Sequence, residues 1–312
     1  MRDAVLVFCF ILGVVISVPG DDHGQQIQIP SLLPATYESF KEMVEKVVDP
    51  NELIFGGNSV KEGLIPMQAA LIYNSTEDNF LHICGGTLIS PRHILTAAHC
   101  TINMTAPAKI MVGGVNVFTN SSNTQWRHVH RKHTHLQYND DPTDKKHYAY
   151  NDIGIVEFSP AVATNGHYIQ LANLLKDDNA LLKKGKGVAS GYGTYEYRGT
   201  HKNISSGNSA YLRAVDLTIY SFGYCLQARP NTPLFAGQFC AGAKGRGMGK
   251  GDSGGPIQAI VAPRLIQLGI ASYAAAAPGV YKEQDKYPVV FTRVSHYCDY
   301  ISRTTKGAAK CK

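Results

Sequence analysis

Three widely separated side chains in this 312-residue sequence could together break an acyl bond: His99, Asp152 and Ser253. A serine hydroxyl is a weak nucleophile at neutral pH and needs an adjacent base to take its proton. A histidine can accept that proton and return it to a leaving group, while a carboxylate holds the imidazole in the required tautomer. Taken singly, a lone histidine is more often structural, and an aspartate before a strand more often forms a turn.

The segment around the serine is the most specific of the three. It reads Gly251-Asp252-Ser253-Gly254-Gly255-Pro256. Glycines permit left-handed backbone angles and a close approach of the main chain to a ligand. On its own, the run is also compatible with a simple tight turn.

In this order along the chain, the three segments resemble the chymotrypsin/trypsin-like serine protease family. The resemblance covers residues 54 to about 304, and it includes Ile54-Phe55-Gly56-Gly57, Pro66-Met67-Gln68, Cys84-Gly85-Gly86-Thr87-Leu88-Ile89, Gly191-Tyr192-Gly193, Phe239-Cys240-Ala241-Gly242 and Pro278-Gly279-Val280-Tyr281. It implies a serine endopeptidase that acts on proteins or peptides, needs no cofactor and can be blocked by protein inhibitors. The competing interpretation is a catalytically silent homologue that binds a partner.

The resemblance also implies a role for each residue of the site. Ser253 would be the nucleophile, His99 its base and Asp152 the group that orients the base. The backbone N–H groups of Gly251 and Ser253 would form the oxyanion hole.

An activation switch is implied as well. A newly cut amine at Ile54 would pair with the Asp252 carboxylate, so activity would follow cleavage of a precursor. Leu53 precedes that bond, where many relatives carry Arg or Lys. We therefore expect activation by an enzyme that prefers apolar residues, with self-processing as the working hypothesis.

The resemblance places six residues at the specificity pocket: Gly247, Met248, Ser272, Tyr273, Ala274 and Gly279. Tryptic relatives carry an aspartate six residues before the serine, where this chain has Gly247. We therefore expect an apolar pocket and cleavage after Leu, Met, Phe or smaller residues, in a chymotrypsin-like or elastase-like manner. Arg246 and Lys250 leave a preference for acidic residues as the alternative.

One of the seven cysteines, Cys9, lies in the apolar run near the N-terminus. The other six allow fifteen pairings. The resemblance implies Cys84–Cys100 and Cys225–Cys240, which leaves Cys298 with Cys311. The family's bridge beside the serine is missing, because Gly249 stands at its first position.

The N-terminal region predicts export. The apolar run 4–18 behind Arg2 is short for a membrane span and is typical of a signal peptide over residues 1–20, with a signal anchor as the alternative. Four N-x-[ST] sequons agree with a secreted, extracellular product: Asn74, Asn103, Asn120 and Asn203. Residues 21–53 are acidic and contain one predicted helix, begun by a capping box at Ser39 and Glu42. This segment is interpreted as a pro-segment, or else as a solvated leader.

Residues 54–312 read as an all-β protease domain. Short apolar runs broken by Gly, Pro and Asn predict strands, and a closing helix is predicted over roughly 295–304. With the resemblance, this gives two antiparallel six-stranded β-barrels of roughly 54–160 and 161–290, a C-terminal helix and a monomer.

Charge and histidine content suggest two other functions. The net charge is +6, but no run of five to eight Lys and Arg residues indicates nucleic-acid binding, and no membrane contact is expected after signal removal. The segment from His128 to His135 contains four histidines that alternate as metal ligands on a strand could. A basic surface strand is the favoured interpretation, because no carboxylate or thiolate is near in sequence, and no metal site is expected.

Overall fold

The computed structural model describes residues 57–74, 81–141, 143–144, 147–198, 205–230, 234–275 and 280–312, with the backbone alone for 194–198 and 205–208. The predicted signal peptide, the predicted pro-segment and Ile54 lie outside the described residues, as do Asn203 and Gly279. Within the described ranges, none of the helices has the length and apolar character needed to cross a membrane.

The first barrel follows a short opening strand, β1 (Asn58–Ser59). Its strands are β2 (Gln68–Asn74), β3 (Leu81–Ser90), β4 (His93–Thr96), β5 (Lys109–Val112), β6 (Gln125–Thr134) and β7 (Gly154–Ser159). They close in the order β2-β3-β4-β7-β6-β5, and every pair is antiparallel. Large apolar side chains from these strands fill the interior, among them Leu71, Leu88, Ile94, Ile110 and Phe158.

The second barrel contains β8 (Lys186–Gly191), β11 (Arg213–Ile219), β12 (Gln238–Gly242), β13 (Pro256–Val261), β14 (Arg264–Tyr273) and β15 (Val289–Arg293). A hairpin of β9 (Thr194–Arg198) and β10 (Ser205–Asn208) precedes β11. The six strands follow the order β11-β12-β15-β14-β13-β8, and β8 pairs back to β11, which closes the barrel. The predicted all-β fold with two six-stranded antiparallel barrels is confirmed.

The helices in the described part of the chain are short and lie between or after the strands. They are α1 (Ala98–Ile102), α2 (Asn179–Lys183), α3 (Phe222–Ala228) and α4 (Cys298–Thr304). Ser221 caps α3 by accepting a hydrogen bond from the Tyr224 backbone N–H. The predicted C-terminal helix is confirmed, with its first turn in the tighter 3₁₀ form over Val294–Tyr297.

Three disulfides tie helices to their surroundings. Cys84–Cys100 joins β3 to α1, Cys225–Cys240 joins α3 to β12, and Cys298–Cys311 joins α4 to the C-terminal tail. These are the pairings that the resemblance implies. In the chain-entropy model, closing loops of this size stabilises the folded state by about 3 kcal/mol each.

Candidate active site

Two neighbouring strands of the first barrel bring His99 and Asp152 together. Thr96 at the end of β4 pairs with Gly154 at the start of β7, so the chain leaves β4 beside the point where it enters β7. His99 lies just after β4, in α1, and Asp152 just before β7. His99 Nδ1 is 2.8 Å from Asp152 Oδ2, and the His99 backbone N–H donates to Asp152 Oδ1 at 2.9 Å.

The Asp152 carboxylate is buried and held by both barrels. Ser272 Oγ, from β14, donates to Asp152 Oδ2 at 2.5 Å, and Thr292 Oγ1, from β15, donates to the Asp152 carbonyl oxygen at 2.8 Å. Burial opposes ionisation, but the charge interaction with His99 and the hydrogen bonds from His99 and Ser272 outweigh it, so the pKa of Asp152 lies below its usual value. An anion facing Nδ1 keeps the proton there and leaves Nε2 of His99 able to act as a base.

The loop before Asp152 contains two residues with unusual backbone angles, which the sequence analysis did not predict. Ala149 and Asn151 both have a φ of 57°, in the left-handed region that costs most residues energy. Tyr297 Oη donates to Asn151 Oδ1 at 3.0 Å, and Asn151 Nδ2 donates to the Gln137 carbonyl at 2.9 Å. Because side chains far away in sequence fix this loop, no local pattern could have predicted it.

Glycines allow the serine turn to pack against the strands of the first barrel. Gly254 has a φ of 77°, and a Cβ added there would lie 2.1 Å from Thr96 Oγ1. A Cβ on Gly85 of β3 would lie 2.6 Å from Gly255 Cα. The Gly85 backbone N–H donates to the Ser253 carbonyl at 2.7 Å. The serine turn therefore lies against β3 and against the end of the strand that leads to His99.

Asp252, next to the serine, is completely buried. Its Oδ1 accepts from the Gly193 backbone N–H at 2.8 Å and its Oδ2 from the Gly249 backbone N–H at 2.9 Å. A Cβ on Gly191 would lie 2.2 Å from Asp252 Oδ1, so the carboxylate occupies space that glycines provide. Burial raises the pKa of Asp252 to about 7, and in the described part of the chain no cation pairs with it.

Comparison with known proteins decides the family. The family model described as Trypsin matches residues 54–301. The chain belongs to the trypsin family. It is similar to the chymotrypsin-like elastase family member 1 of Rattus norvegicus, with 29% identity over 81% of this chain and 90% of that protein. The protein of the same name from Macaca fascicularis is 28% identical over 88% of this chain and 97% of its own length, and that from Homo sapiens 28% over 81% and 93%.

The predicted pocket residues of this trypsin-family chain that the structure describes lie on two segments of the second barrel. Gly247 and Met248 stand between β12 and β13 and are buried. Ser272 and Tyr273 end β14, and Ala274 follows, partly buried against the barrel core. Burial raises the pKa of Tyr273 to about 12.

The strand that follows the landmark at residues 278–281 begins only at Val289. Val280 and Tyr281, which follow Gly279 in the expected landmark, lie in a 3₁₀ turn over Val280–Lys282. The strand is β15, whose first residue, Val289, is buried in the same cluster as Met248 and Ala274. Pro288-Val289-Val290-Phe291 repeats the Pro-x-Val-aromatic pattern of residues 278–281, and this duplication is the signal that could have revealed it.

Sequence reasoning also missed Gln284. Its side chain exposes 1% of its surface, and both amide atoms bond to the main chain of Met248.

The four histidines of the basic strand do not converge. His128 and His130 are exposed on β6, and His133 Nε2 lies 3.8 Å from Glu157 Oε2. His135 lies beyond the strand, with its ring centroid 4.9 Å from that of Tyr300. Among the described residues, the one close group of potential metal ligands is His99 with Cys84 and Cys100, and that cysteine pair is consumed in a disulfide.

Three of the sequon asparagines lie in the described part of the chain. Asn74 is exposed at the end of β2, and Asn103 directly follows α1. Asn120 is exposed, and its side-chain oxygen accepts a hydrogen bond from Trp126 Nε1 at 2.8 Å.

Proposed function

We propose that this chain is a secreted serine endopeptidase, made as a zymogen, that cleaves peptide bonds after apolar residues. The observation that carries the proposal is the buried Asp152 anion bonded to His99 Nδ1, beside a serine turn packed against the strand that leads to His99. Membership of the trypsin family supports the same chemistry.

In the proposed reaction, Ser253 Oγ attacks the scissile carbonyl carbon while His99 Nε2 removes the hydroxyl proton. The carbonyl electron pair moves to oxygen, and the resulting oxyanion accepts hydrogen bonds from the backbone N–H groups of Gly251 and Ser253, each worth about 3–4 kcal/mol. Collapse of this intermediate expels the amine, which takes the proton from His99. Water then repeats the sequence on the acyl-enzyme, and Asp152 stays ionised throughout.

The preference for apolar residues is proposed from the charges around the pocket. Gly247 offers no carboxylate to bind an Arg or Lys side chain of the substrate. Arg246 is engaged elsewhere, because its Nη1 lies 2.7 Å from Asp216 Oδ1 on β11, which argues against a preference for acidic residues. Met248 and Ala274 contribute apolar surface.

Export and activation complete the proposal. The predicted signal peptide, the three disulfides and the sequons favour an extracellular protein. The buried Asp252, without a cationic partner among the described residues, favours a site that awaits the amine of Ile54. Because Leu53 precedes that amine, incubation of the purified precursor alone should release an N-terminus at Ile54, and absence of this cut would end the self-activation hypothesis.

The decisive experiment compares the chain cut before Ile54 with the same protein carrying Ser253→Ala. Both are incubated with a mixed peptide library, and the cleaved bonds are read by mass spectrometry. We expect cuts after apolar residues that are absent from the variant. If the folded protein makes no serine-dependent cut, the chain is instead a silent homologue that binds a partner.

A further inference from the structure

A buried glutamine, Gln284, contacts the predicted pocket. It lies on a different segment of the chain from Met248 and Ser272. Gln284 lies between the 3₁₀ turn at Val280–Lys282 and β15. Its Nε2 donates to the Met248 carbonyl at 2.7 Å, and its Oε1 accepts from the Met248 backbone N–H at 3.1 Å. The carboxamide is therefore fixed to the main chain of a single pocket residue.

This carboxamide fills the space that a side chain at position 247 would need. A Cβ added to Gly247 would lie 1.7 Å from Gln284 Oε1 and 2.2 Å from Gln284 Cδ. Real Cβ atoms do not approach other atoms so closely. A side chain at position 247 and the carboxamide of Gln284 therefore exclude each other, and in this chain the carboxamide occupies the volume.

The backbone around Gln284 leaves it little freedom to move aside. A Cβ on Gly242 would lie 1.9 Å from the Gln284 carbonyl oxygen, so this stretch packs directly on β12. The Gly245 backbone N–H donates to the Lys282 carbonyl at 2.7 Å, and Lys244 forms a β-bridge with Glu283. The segment that carries Gln284 is thus held along its length.

The neighbouring walls are neutral and closely packed. Met248, Gln284 and Val289 expose 2%, 1% and 3% of their surfaces, and Val289 belongs to the same apolar cluster as Ala274. The space next to Gly247 that a Cβ would enter is therefore taken by Gln284, and the neighbouring Met248 and Val289 are themselves buried.

We propose that Gln284 sets the depth of the specificity pocket and restricts the residue before the cleaved bond to small uncharged side chains, such as those of Ala and Val. The inference rests on the proposed endopeptidase function and narrows its substrate class. It makes Gln284 a specificity-determining residue that acts from outside the segments around Ser253 and Ser272.

The test measures kcat/KM for peptides that differ only in the residue before the cleaved bond: Ala, Val, Leu or Phe. The full precursor is produced with a specific cleavage site before Ile54 and is cut before the assay. Wild type is compared with Gln284→Ala and with Gln284→Met, whose side chain has a similar length. The control is Gln267→Ala, which removes a different buried glutamine, one that lies on β14. A fluorophosphonate that labels Ser253 counts the competent molecules in each sample.

We expect wild type to favour Ala and Val. Gln284→Ala should raise the Phe-to-Ala ratio of kcat/KM about tenfold or more, because apolar pockets discriminate between substrates that differ by a methylene group by at least this factor. Gln284→Met and Gln267→Ala should keep the wild-type ratio. A wild type that prefers Phe, or an unchanged ratio in Gln284→Ala, overturns the inference. If Gln284→Ala does not fold, Gln284→Asn carries the same comparison. A wild type that does not react with the fluorophosphonate would instead refute the proposed function.

Discussion

At the scale of single residues, the candidate site depends on a buried anion that both barrels hold. His99 comes from the first barrel, whereas Ser272 and Thr292 come from the second, and all three bond to Asp152. A buried carboxylate is costly unless its oxygens are paired. His99 and Ser272 pair the carboxylate oxygens, and Thr292 pairs the backbone carbonyl of Asp152. The orientation of the imidazole therefore depends on Asp152 remaining ionised.

Asp152→Asn is expected to lower kcat about ten-thousandfold, because the amide stabilises the wrong tautomer of His99; in chymotrypsin-like enzymes the equivalent change has an effect of this size. Steady-state kinetics on the cut protein test this. The matched control is Asp178→Asn, which alters another buried aspartate, one that pairs with Arg293. It should lower stability but leave kcat per titrated site near wild type. Equal losses of kcat in both variants would show that Asp152 acts only through stability.

At the scale of elements, two short helices are each tied down by a disulfide, but only α1 carries a residue of the candidate site. α1 carries His99, is tied to β3 by Cys84–Cys100, and has Lys132 Nζ bonded to the carbonyls of Ile102 and Met104 at 3.1 and 2.7 Å. α4 is tied to the tail by Cys298–Cys311. A five-residue helix has little stability of its own, so such ties decide whether it forms.

Removing either bridge should cost about 3 kcal/mol of unfolding free energy, because the two loops have similar lengths. Only the double change Cys84→Ala with Cys100→Ala should also lower kcat per titrated site, because it frees the helix that carries His99. The double change Cys298→Ala with Cys311→Ala serves as its control. Urea unfolding and active-site-normalised kinetics measure the two effects. Equal kinetic losses would contradict a local role for the first bridge.

The loop before Asp152 gives a second prediction at this scale. Ala149 has a φ of 57°, so replacing it by Gly removes a backbone strain of about 1–2 kcal/mol. Glycine also loses about 0.5–1 kcal/mol more backbone entropy on folding than alanine. Because the two effects nearly cancel, Ala149→Gly should leave the free energy of unfolding nearly unchanged. Ala189→Gly, at a buried alanine of β8 in ordinary strand geometry, should lower it by about 1 kcal/mol or more. Chemical denaturation compares the two variants, and equal losses would mean that the left-handed angle costs nothing.

At the scale of the whole molecule, the buried Asp252 makes the stability of the fold depend on pH. In the unfolded chain its carboxyl has an ordinary pKa of 3.8, and in the folded chain burial raises the pKa to about 7. Between these values the folded state keeps a proton that the unfolded state has lost. This group therefore makes the uncut chain less stable as pH rises from about 4 to about 7, with the full loss present above that.

Asp252→Asn in the uncut chain should remove this slope, so the variant gains stability relative to wild type between pH 5 and pH 8. After a cut before Ile54, the new amine should lower the pKa of Asp252, and stability from the pair should then be present above the ordinary pKa and lost as pH falls. The free energies of unfolding of both forms at pH 5 and pH 8 check this. If the uncut variant follows wild type at both pH values, Asp252 does not titrate in this window.

The family and the barrels could be predicted from the sequence because their signals are local. Particular residue types at fixed spacings mark three segments: the run around Ser253, the residues before His99, and the glycines at 191 and 193. Ile110, Met111 and Val112 are an example of a short apolar run that predicts a strand, and they lie in β5.

The sequence by itself determined which side chains are available for catalysis and the class of fold that holds them. Only the tertiary structure decided which side chains pack around Met248, because Gln284 and Val289 reach it from another segment of the chain. It also decided the left-handed loop at Ala149 and Asn151, which Tyr297 fixes from far along the chain. Side chains that meet only after two barrels close leave no periodic pattern in the sequence, so their roles appear only in the folded molecule.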